Sequence, residues 1–101
     1  MLFMIIARDK PGALATRLEN RPRHLAYMQG EAARIRLAGP ILSDDEPAQP
    51  IGSVLIIEAA DRAEAEAFAA QDPYMLAGLF GAVEIKPWRE TLGTWLPETK
   101  T

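Results

Sequence analysis

Residues 1–7, Met1-Leu2-Phe3-Met4-Ile5-Ile6-Ala7, form an unbroken apolar run at the start of the chain. Charged residues 8–10 follow at once and no basic segment precedes the run, so we expect a strand and not a signal peptide. Successive side chains of a strand point to opposite faces, and here both sets are apolar. This pattern predicts a strand over residues 1–8 that is covered on both of its faces.

The same two-faced apolar pattern returns in Gly52-Ser53-Val54-Leu55-Ile56-Ile57-Glu58, which predicts a third strand. Residues 35–42 and 83–88 are predicted as the second and fourth strands. Because proline cannot donate to a sheet ladder, Pro40 is expected at a sheet edge or a bulge. The polar, proline-containing residues 43–50 predict a hairpin loop between the second and third strands.

Two helical segments separate the strands. Apolar residues recur at helical spacing, and we expect one helix face to carry Leu14, Leu18, Leu25, Met28, Ala32 and Ile35. Asn20-Arg21-Pro22 interrupts this pattern, so we expect a break or kink there, with Pro22 near the start of a second helical piece. Later, Asp61 and Glu64 are spaced as in a capping box, and Asp72-Pro73 is typical of a helix start.

The predicted order is β-α-β-β-α-β, the ferredoxin-like arrangement of an α+β subunit. Two helices cover only one face of a four-stranded sheet, yet the first and third strands are apolar on both. A large exposed apolar patch is unusual in a monomer, so we expect a homodimer in which two sheets pack face to face. Residues 1–93 are predicted to form one domain, and residues 94–101 a C-terminal tail.

The composition limits the function classes. The chain has 101 residues, 49% of them hydrophobic, with a net charge of −3 and no apolar run near the ~20 residues that span a bilayer. We therefore expect a cytoplasmic protein with no membrane partner. One histidine and no cysteine leave no recognisable zinc or iron–sulfur site, so we expect no metal and no cofactor.

Basic residues gather only around the first helix, at Arg17, Arg21, Arg23, Arg34 and Arg36. Nucleic-acid binders usually carry a clear basic excess on one face, which a chain of net charge −3 does not suggest. We expect no nucleic-acid partner. This arginine cluster is either a solvated helix face or a source of attraction for a small anionic ligand.

The stretch Arg21-Pro22-Arg23-His24-Leu25-Ala26-Tyr27 holds the single histidine of the chain. Imidazole exchanges a proton near neutral pH, so His24 is a candidate general acid or base, and a carboxylate is a common orienting partner. The alternative is a half-buried structural histidine bonded to backbone or water. Asp72 is explained locally as a helix N-cap, but the second oxygen of such a carboxylate is still free to accept from an imidazole.

Three further residues are weaker candidates for substrate binding. Ser53 offers a hydroxyl, or only satisfies a strand end. Arg8 ends the first strand, where it either clamps a carboxylate or phenolate with two hydrogen bonds or is a plain surface charge. Tyr74 follows Asp72 and either lines the same hollow or packs in the core.

Taken in order, several motifs resemble the YCII-related (YciI-like) proteins, small members of the dimeric α+β barrel superfamily. Besides the N-terminal strand and the His24 stretch, they are Leu37-Ala38-Gly39-Pro40, Gly52-Ser53, Gln71-Asp72-Pro73-Tyr74, Ala77-Gly78-Leu79-Phe80 and Val83-Glu84-Ile85-Lys86-Pro87-Trp88. The resemblance runs from Met1 to about Trp88. It implies a ferredoxin-like subunit, a dimeric barrel, and a histidine–aspartate pair formed by His24 and Asp72.

Some relatives in this family are described as lyases that eliminate chloride from chlorinated hydroxyquinones, and the wider superfamily includes lactone isomerases and cofactor-independent monooxygenases. The resemblance therefore implies a cofactor-independent lyase, dehydrochlorinase or isomerase acting on a small cyclic or aromatic compound, with His24 as general acid or base. The alternatives are a non-catalytic ligand-binding or sensing module and a structural accessory protein. The expected partners are a small molecule and further copies of the chain, in a dimer or a higher oligomer.

Overall fold

A computed structural model describes residues 1–95 of the chain. Four strands form one antiparallel sheet in the order β2-β3-β1-β4: β1 (Leu2–Asp9), β2 (Ile35–Leu42), β3 (Pro50–Glu58) and β4 (Phe80–Trp88). The connections contain α1 (Leu14–Gly30), a 3₁₀ turn (Ala32–Arg34), α2 (Arg62–Gln71) and α3 (Pro73–Leu76). The predicted α+β class and the ferredoxin-like β-α-β-β-α-β order are confirmed, although β4 begins earlier than expected.

The hydrophobic core lies on the face of the sheet that carries the helices. It is built from alternate residues of the two central strands and from the inward side of α2: Phe3, Ile5, Leu55, Ile57, Ala65 and Phe68. Strand alternation places the two sets of β1 side chains on opposite faces, as the sequence predicts. Strand β1 is one of the two central strands and lies between β3 and β4.

The opposite face of the sheet, here called the outer face, carries a second apolar surface. Met4 and Ile6 of β1 lie on it, next to their register partners Ile56 and Val54 of β3. The helices pack on the other side, against the core. Within residues 1–95 of a single chain, no helix covers the outer face.

Helix α1 is continuous from Leu14 to Gly30 and contains Pro22, so the predicted break at Asn20-Arg21-Pro22 is wrong. Proline removes one backbone donor and leaves the carbonyl four residues earlier without an intrahelical partner. Both Pro22 and Leu18 are exposed, so water is able to satisfy that carbonyl. In addition, the Asn20 side chain donates to the Thr16 carbonyl oxygen at 2.8 Å and accepts from Arg23, which links the turns on either side of the proline.

The buried side of α1 also differs from the prediction. Leu18 and Leu25 are 55% and 39% exposed, whereas Arg17 and Asn20 are buried. Met28 packs against the core as expected. The reason is tertiary, because Arg17 packs on the ring of Tyr74 in α3 and donates to Asp9 of β1 and Ser53 of β3. The side chain of Asn20 bonds within its own helix.

Local signals at strand edges and helix ends behave as predicted. Pro40 lies in the edge strand β2, close to a register irregularity between Ile41 and Leu42. Asp61 caps α2 by accepting from the backbone N–H of Glu64 at 2.9 Å. Gly78 follows α3 with φ of 74°, a left-handed conformation that favours glycine.

The predicted tail of residues 94–101 begins within the described residues, where Trp95 is 81% exposed, and its residues 96–101 lie outside them. In the described part of the chain, no helix combines the length and the apolar character that crossing a bilayer requires. The domain boundary at residue 93 and the cytoplasmic location stay predictions.

Candidate active site

His24 and Asp72 lie in contact, although 48 positions of sequence separate them. His24 Nδ1 is 2.8 Å from Asp72 Oδ1, and the two side chains are only 13% and 6% exposed. An ionised carboxylate only accepts hydrogen bonds, so Nδ1 carries the proton that is donated to Asp72. In the neutral ring Nε2 is then an acceptor, which is the arrangement needed to take a proton from a ligand.

Helix α3 fixes the position of Asp72. Asp72 is its N-cap residue, and Oδ1 accepts from the backbone N–H of Tyr74 at 2.9 Å, with Pro73 at the start of the helix. The same oxygen thus caps the helix and contacts His24, where we expected the second oxygen to make the latter contact. A carboxylate held by the backbone offers the imidazole a partner in one fixed orientation.

The ring of Tyr74 lies between two residues of α1. It stacks on the imidazole of His24 with centroids 4.0 Å apart and planes 11° apart, and the guanidinium carbon of Arg17 is 4.6 Å from the same ring centroid. Arg17 and His24 are two turns apart on α1, roughly 10 Å along its axis, which leaves room for one aromatic ring. Tyr74 is 1% exposed and packs both side chains in place.

Arg17 is the residue that the sequence prediction missed as an individual site candidate. It is 4% exposed and so does not belong to a solvated helix face. Its Nε and Nη2 donate to the two carboxylate oxygens of Asp9 at 2.7 and 3.1 Å, and Nη2 also donates to Ser53 Oγ at 2.9 Å. The available signal was its position seven residues before His24, which places both residues on one helix face.

The electrostatics of this group follow from burial and from the paired charges. Burial lowers the pKa of the Arg17 guanidinium, but the hydrogen bond and negative charge of Asp9 outweigh burial, and the pKa is raised overall. Burial raises the pKa of the Tyr74 hydroxyl, while the positive charges of Arg17 and Arg21 oppose this rise. Tyr74 therefore stays a neutral phenol at neutral pH.

A cavity of about 400 Å³ opens beside these residues. Helix α1 contributes Arg17, Arg21 and His24 to one wall, and β2 contributes Ala38 and Pro40 to another. Asp72 does not line the cavity, because it lies behind His24. Of the two paired side chains, only the imidazole of His24 lines the cavity.

The other predicted site residues divide into two groups. Ser53 and Tyr74 both line the cavity. Gly52 sets the close approach of β3 to β1 beside Ser53, since a Cβ there would lie 2.5 Å from the Ala7 carbonyl oxygen. Arg8 is exposed and, by strand alternation, belongs to the outer face, so the structure does not bring it to this cavity. Arg17, and not the predicted Arg8, places a guanidinium group at this cavity.

The charges around the cavity suit an anionic ligand more than a cation. The charge of Arg17 is paired with that of Asp9, and Asp72 contacts His24. Arg21 lines the cavity and makes no ion pair within residues 1–95. No group of three or more metal-ligating His, Cys, Asp or Glu side chains comes together in the described residues. The donors at the walls are guanidinium and hydroxyl groups, which bind oxygen atoms that carry negative charge.

Comparison with known proteins places the chain among relatives of similar length. Protein YciI of Escherichia coli O6:H1 and that of Shigella flexneri are each 38% identical over 96 residues, covering 89% of this chain and 98% of the relative. An uncharacterised protein of Haemophilus influenzae is 36% identical over the same length and coverage.

A solved structure also matches closely. It is a 5-chloro-2-hydroxyhydroquinone dehydrochlorinase from Burkholderia phenoliruptrix AC1100, in complex with 2,5-dihydroxybenzoquinone. The match has a TM-score of 0.82 and 38% sequence identity, covering 89% of this chain and 95% of the other. The model of the YCII-related domain matches residues 1–89. The chain therefore belongs to the YCII-related family.

Proposed function

We propose that this protein is an enzyme that transfers protons on a small cyclic or aromatic compound, with His24 as general base and acid. The contact between His24 Nδ1 and Asp72 Oδ1 carries the proposal, because it leaves Nε2 as the acceptor on a ring that lines the cavity. Asp72 would orient the imidazole and stabilise the imidazolium that forms when Nε2 takes a proton. Such proton transfer typically contributes ~100- to 10,000-fold to a rate.

The reaction class follows from this single acid–base group. Nε2 takes a proton from a C–H or O–H group, and the electron pair released either expels a leaving group such as chloride or is reprotonated at another atom. These outcomes correspond to a lyase or dehydrochlorinase and to an isomerase. The dehydrochlorinase that is 38% identical to this chain, solved with a dihydroxybenzoquinone, supports a ring compound that carries oxygen substituents.

Negative charge that develops on such a ring needs a donor. Arg17 and Arg21 line the cavity, and their positive charges favour a ligand oxygen on which negative charge develops. The Ser53 hydroxyl accepts from Arg17 and keeps its own proton to donate. Preorganised donors of this kind stabilise developing charge without reorganisation at the moment of reaction.

We also infer that the chain works as a homodimer through its outer face. Met4, Ile6 and Val54 are half-buried in the single chain and adjoin the buried Ile56, and together they form an apolar surface over the two central strands. Apolar surface of this kind favours association, and a second identical sheet is the symmetric partner that fits. The helices and the cavity lie on the other side of the sheet, so dimerisation leaves the cavity open.

The test is a chloride-release assay with 5-chloro-2-hydroxyhydroquinone, together with a panel of hydroxylated quinones, on the wild type and His24→Gln. We expect His24→Gln to lose at least about 100-fold in turnover while it keeps its melting temperature. Glu66→Gln, an exposed change on α2, is the matched control and keeps full activity. Turnover of His24→Gln within a few-fold of the wild type rejects the role of His24, and tight binding without any product by the wild type favours a ligand-binding module instead.

A further inference from the structure

Three successive residues of β2 with short side chains, Ala38, Gly39 and Pro40, line the cavity. Ala38 of β2 pairs with Leu55, and Pro40 pairs with Ser53. Paired residues of neighbouring strands share a face, and Leu55 and Ser53 are on the face that carries the helices. Ala38 and Pro40 therefore point to the same side as α1, and both line the cavity.

The cavity exists because nothing from β2 fills the space beneath α1. On the α1 side of the cavity, Tyr74 of α3 is inserted between Arg17 and His24. Leu25 of α1 stays 39% exposed at the cavity wall. A larger side chain at position 38 would occupy the space now open to a ligand.

We propose that residue 38 determines the size of ligand that the cavity admits, because a side chain longer than that of Ala38 takes up space in which a ring compound would bind. The volume of about 400 Å³ is near the lower end of the ~300–1,000 Å³ typical of ligand pockets. The inference rests on the cavity assigned under the proposed function, but not on the proton transfer by His24. Residue 38 is a specificity residue and takes no part in the chemistry.

Two probes of different size test the inference by isothermal titration calorimetry. These are 2,5-dihydroxybenzoquinone, with one ring, and 2-hydroxy-1,4-naphthoquinone, with two. We expect Ala38→Leu to weaken binding of the single-ring probe by about tenfold or more, the size of effect that one excluded group produces in a pocket. Binding of the two-ring probe should weaken further, because it needs more of the space that the leucine side chain occupies.

Controls separate this effect from a loss of folding. Ala48→Leu makes the same change in the exposed hairpin loop, away from the cavity, and leaves both affinities unchanged. Ala38→Val adds bulk with a residue that suits a strand, and thermal unfolding checks that each variant is folded. Unchanged single-ring affinity in folded Ala38→Leu or Ala38→Val overturns the inference, and so does a wild type that binds neither probe.

The outcome is also distinguishable from failure of the proposed function. Size-dependent binding that tracks residue 38, with no turnover of any compound in the panel, rejects the proton-transfer chemistry and leaves the inference intact. Turnover that depends on His24, with ligand affinities that do not change with residue 38, supports the proton-transfer chemistry and rejects the role of residue 38.

Discussion

One oxygen of Asp72 joins two helices through His24. Oδ1 caps α3 by accepting from the backbone N–H of Tyr74 at 2.9 Å, and the same atom lies 2.8 Å from Nδ1 of His24 on α1. A local helix signal and a contact across 48 positions of sequence therefore meet at a single atom. The two roles make different demands on the side chain, so substitution can separate them.

Asp72→Asn is expected to keep the fold and lose activity. Asparagine caps helices about as well as aspartate, so the free energy of unfolding should fall by less than about 1 kcal/mol, against about 1–2 kcal/mol for Asp72→Ala. A neutral amide does not stabilise an imidazolium, so turnover should fall by roughly 100-fold or more. Urea unfolding and the turnover assay measure the two effects. Phe68→Ala should lower the free energy of unfolding by about 3–5 kcal/mol. If Asp72→Asn lowers it by as much, the His24–Asp72 pair has a structural role.

Arg17→Met is expected to destabilise the protein strongly. It leaves the carboxylate of Asp9, whose side chain is 5% exposed, buried without its cation. Breaking a buried pair in this way typically costs about 3–5 kcal/mol. The exposed Arg62→Met is the matched control, with an expected change within about 0.5 kcal/mol.

A double variant tests whether the buried charge is the cause. Asp9→Asn combined with Arg17→Met removes both charges and should recover part of the loss measured by urea unfolding. Equal stability of Arg17→Met and the wild type, or a strictly additive double variant, would speak against a coupled pair.

Tyr74→Phe should make the protein less sensitive to alkaline pH. Burial raises the pKa of Tyr74 in the folded state, so the unfolded chain releases this proton first, from about pH 10. The unfolded state then binds fewer protons, and the free energy of unfolding falls as pH rises through the folded pKa. Removing the hydroxyl removes this contribution. If plots of the free energy of unfolding against pH run parallel for Tyr74→Phe and the wild type between about pH 8 and pH 11, the prediction is contradicted.

Tyr27 provides an internal comparison for the alkaline experiment. Burial raises its pKa as well, with the negative charges of Glu31 and Asp72 adding to the effect. Its hydroxyl donates to the Phe68 carbonyl oxygen at 2.8 Å. Tyr27→Phe should therefore also flatten the alkaline decline, but with a loss of stability at neutral pH from the missing hydrogen bond, typically about 1 kcal/mol.

Val54→Lys should dissociate the proposed dimer. Val54 lies on the outer face beside its register partner Ile6. In a symmetric dimer, Val54→Lys would place two lysine charges, one from each chain, inside an apolar interface. Sedimentation velocity at micromolar concentration should show a dimer for the wild type and a monomer for Val54→Lys. Ala48→Lys adds the same charge in the hairpin loop and should remain dimeric. A wild type that sediments as a clean monomer would reject the interface.

The fold was predictable to the extent that it depends on local and periodic signals. Runs that are apolar on both faces mark the central strands β1 and β3, and turn and capping residues mark the ends of α2 and α3. Pro22 was misjudged because the compensating contacts of Asn20 are not visible as a pattern in the sequence. The inward side of α1 was predicted wrongly because the spacing of apolar residues does not show which element a helix packs against.

The site was predictable only in its single histidine and its capping aspartate. Their pairing was an expectation from family resemblance, and the distance of 2.8 Å is a property of the folded chain. Arg17 was overlooked among exposed arginines because nothing in its neighbours indicates that Asp9 and Ser53 converge on it. Arg8 was favoured over it because a strand end is a common place for a binding residue, yet strand alternation sends Arg8 to the outer face.

The sequence by itself determined the order of strands and helices, the helix caps and the apolar character of both sheet faces. These features depend on backbone sterics, hydrogen bonding within a few residues and side-chain periodicity, all of which act locally. Only the tertiary structure decided that Tyr74 lies between Arg17 and His24, and that residues of α1 and β2 line one cavity. Such contacts arise from the packing of whole elements against each other, which minimises unpaired buried groups over the entire chain and so leaves no signature at any single position.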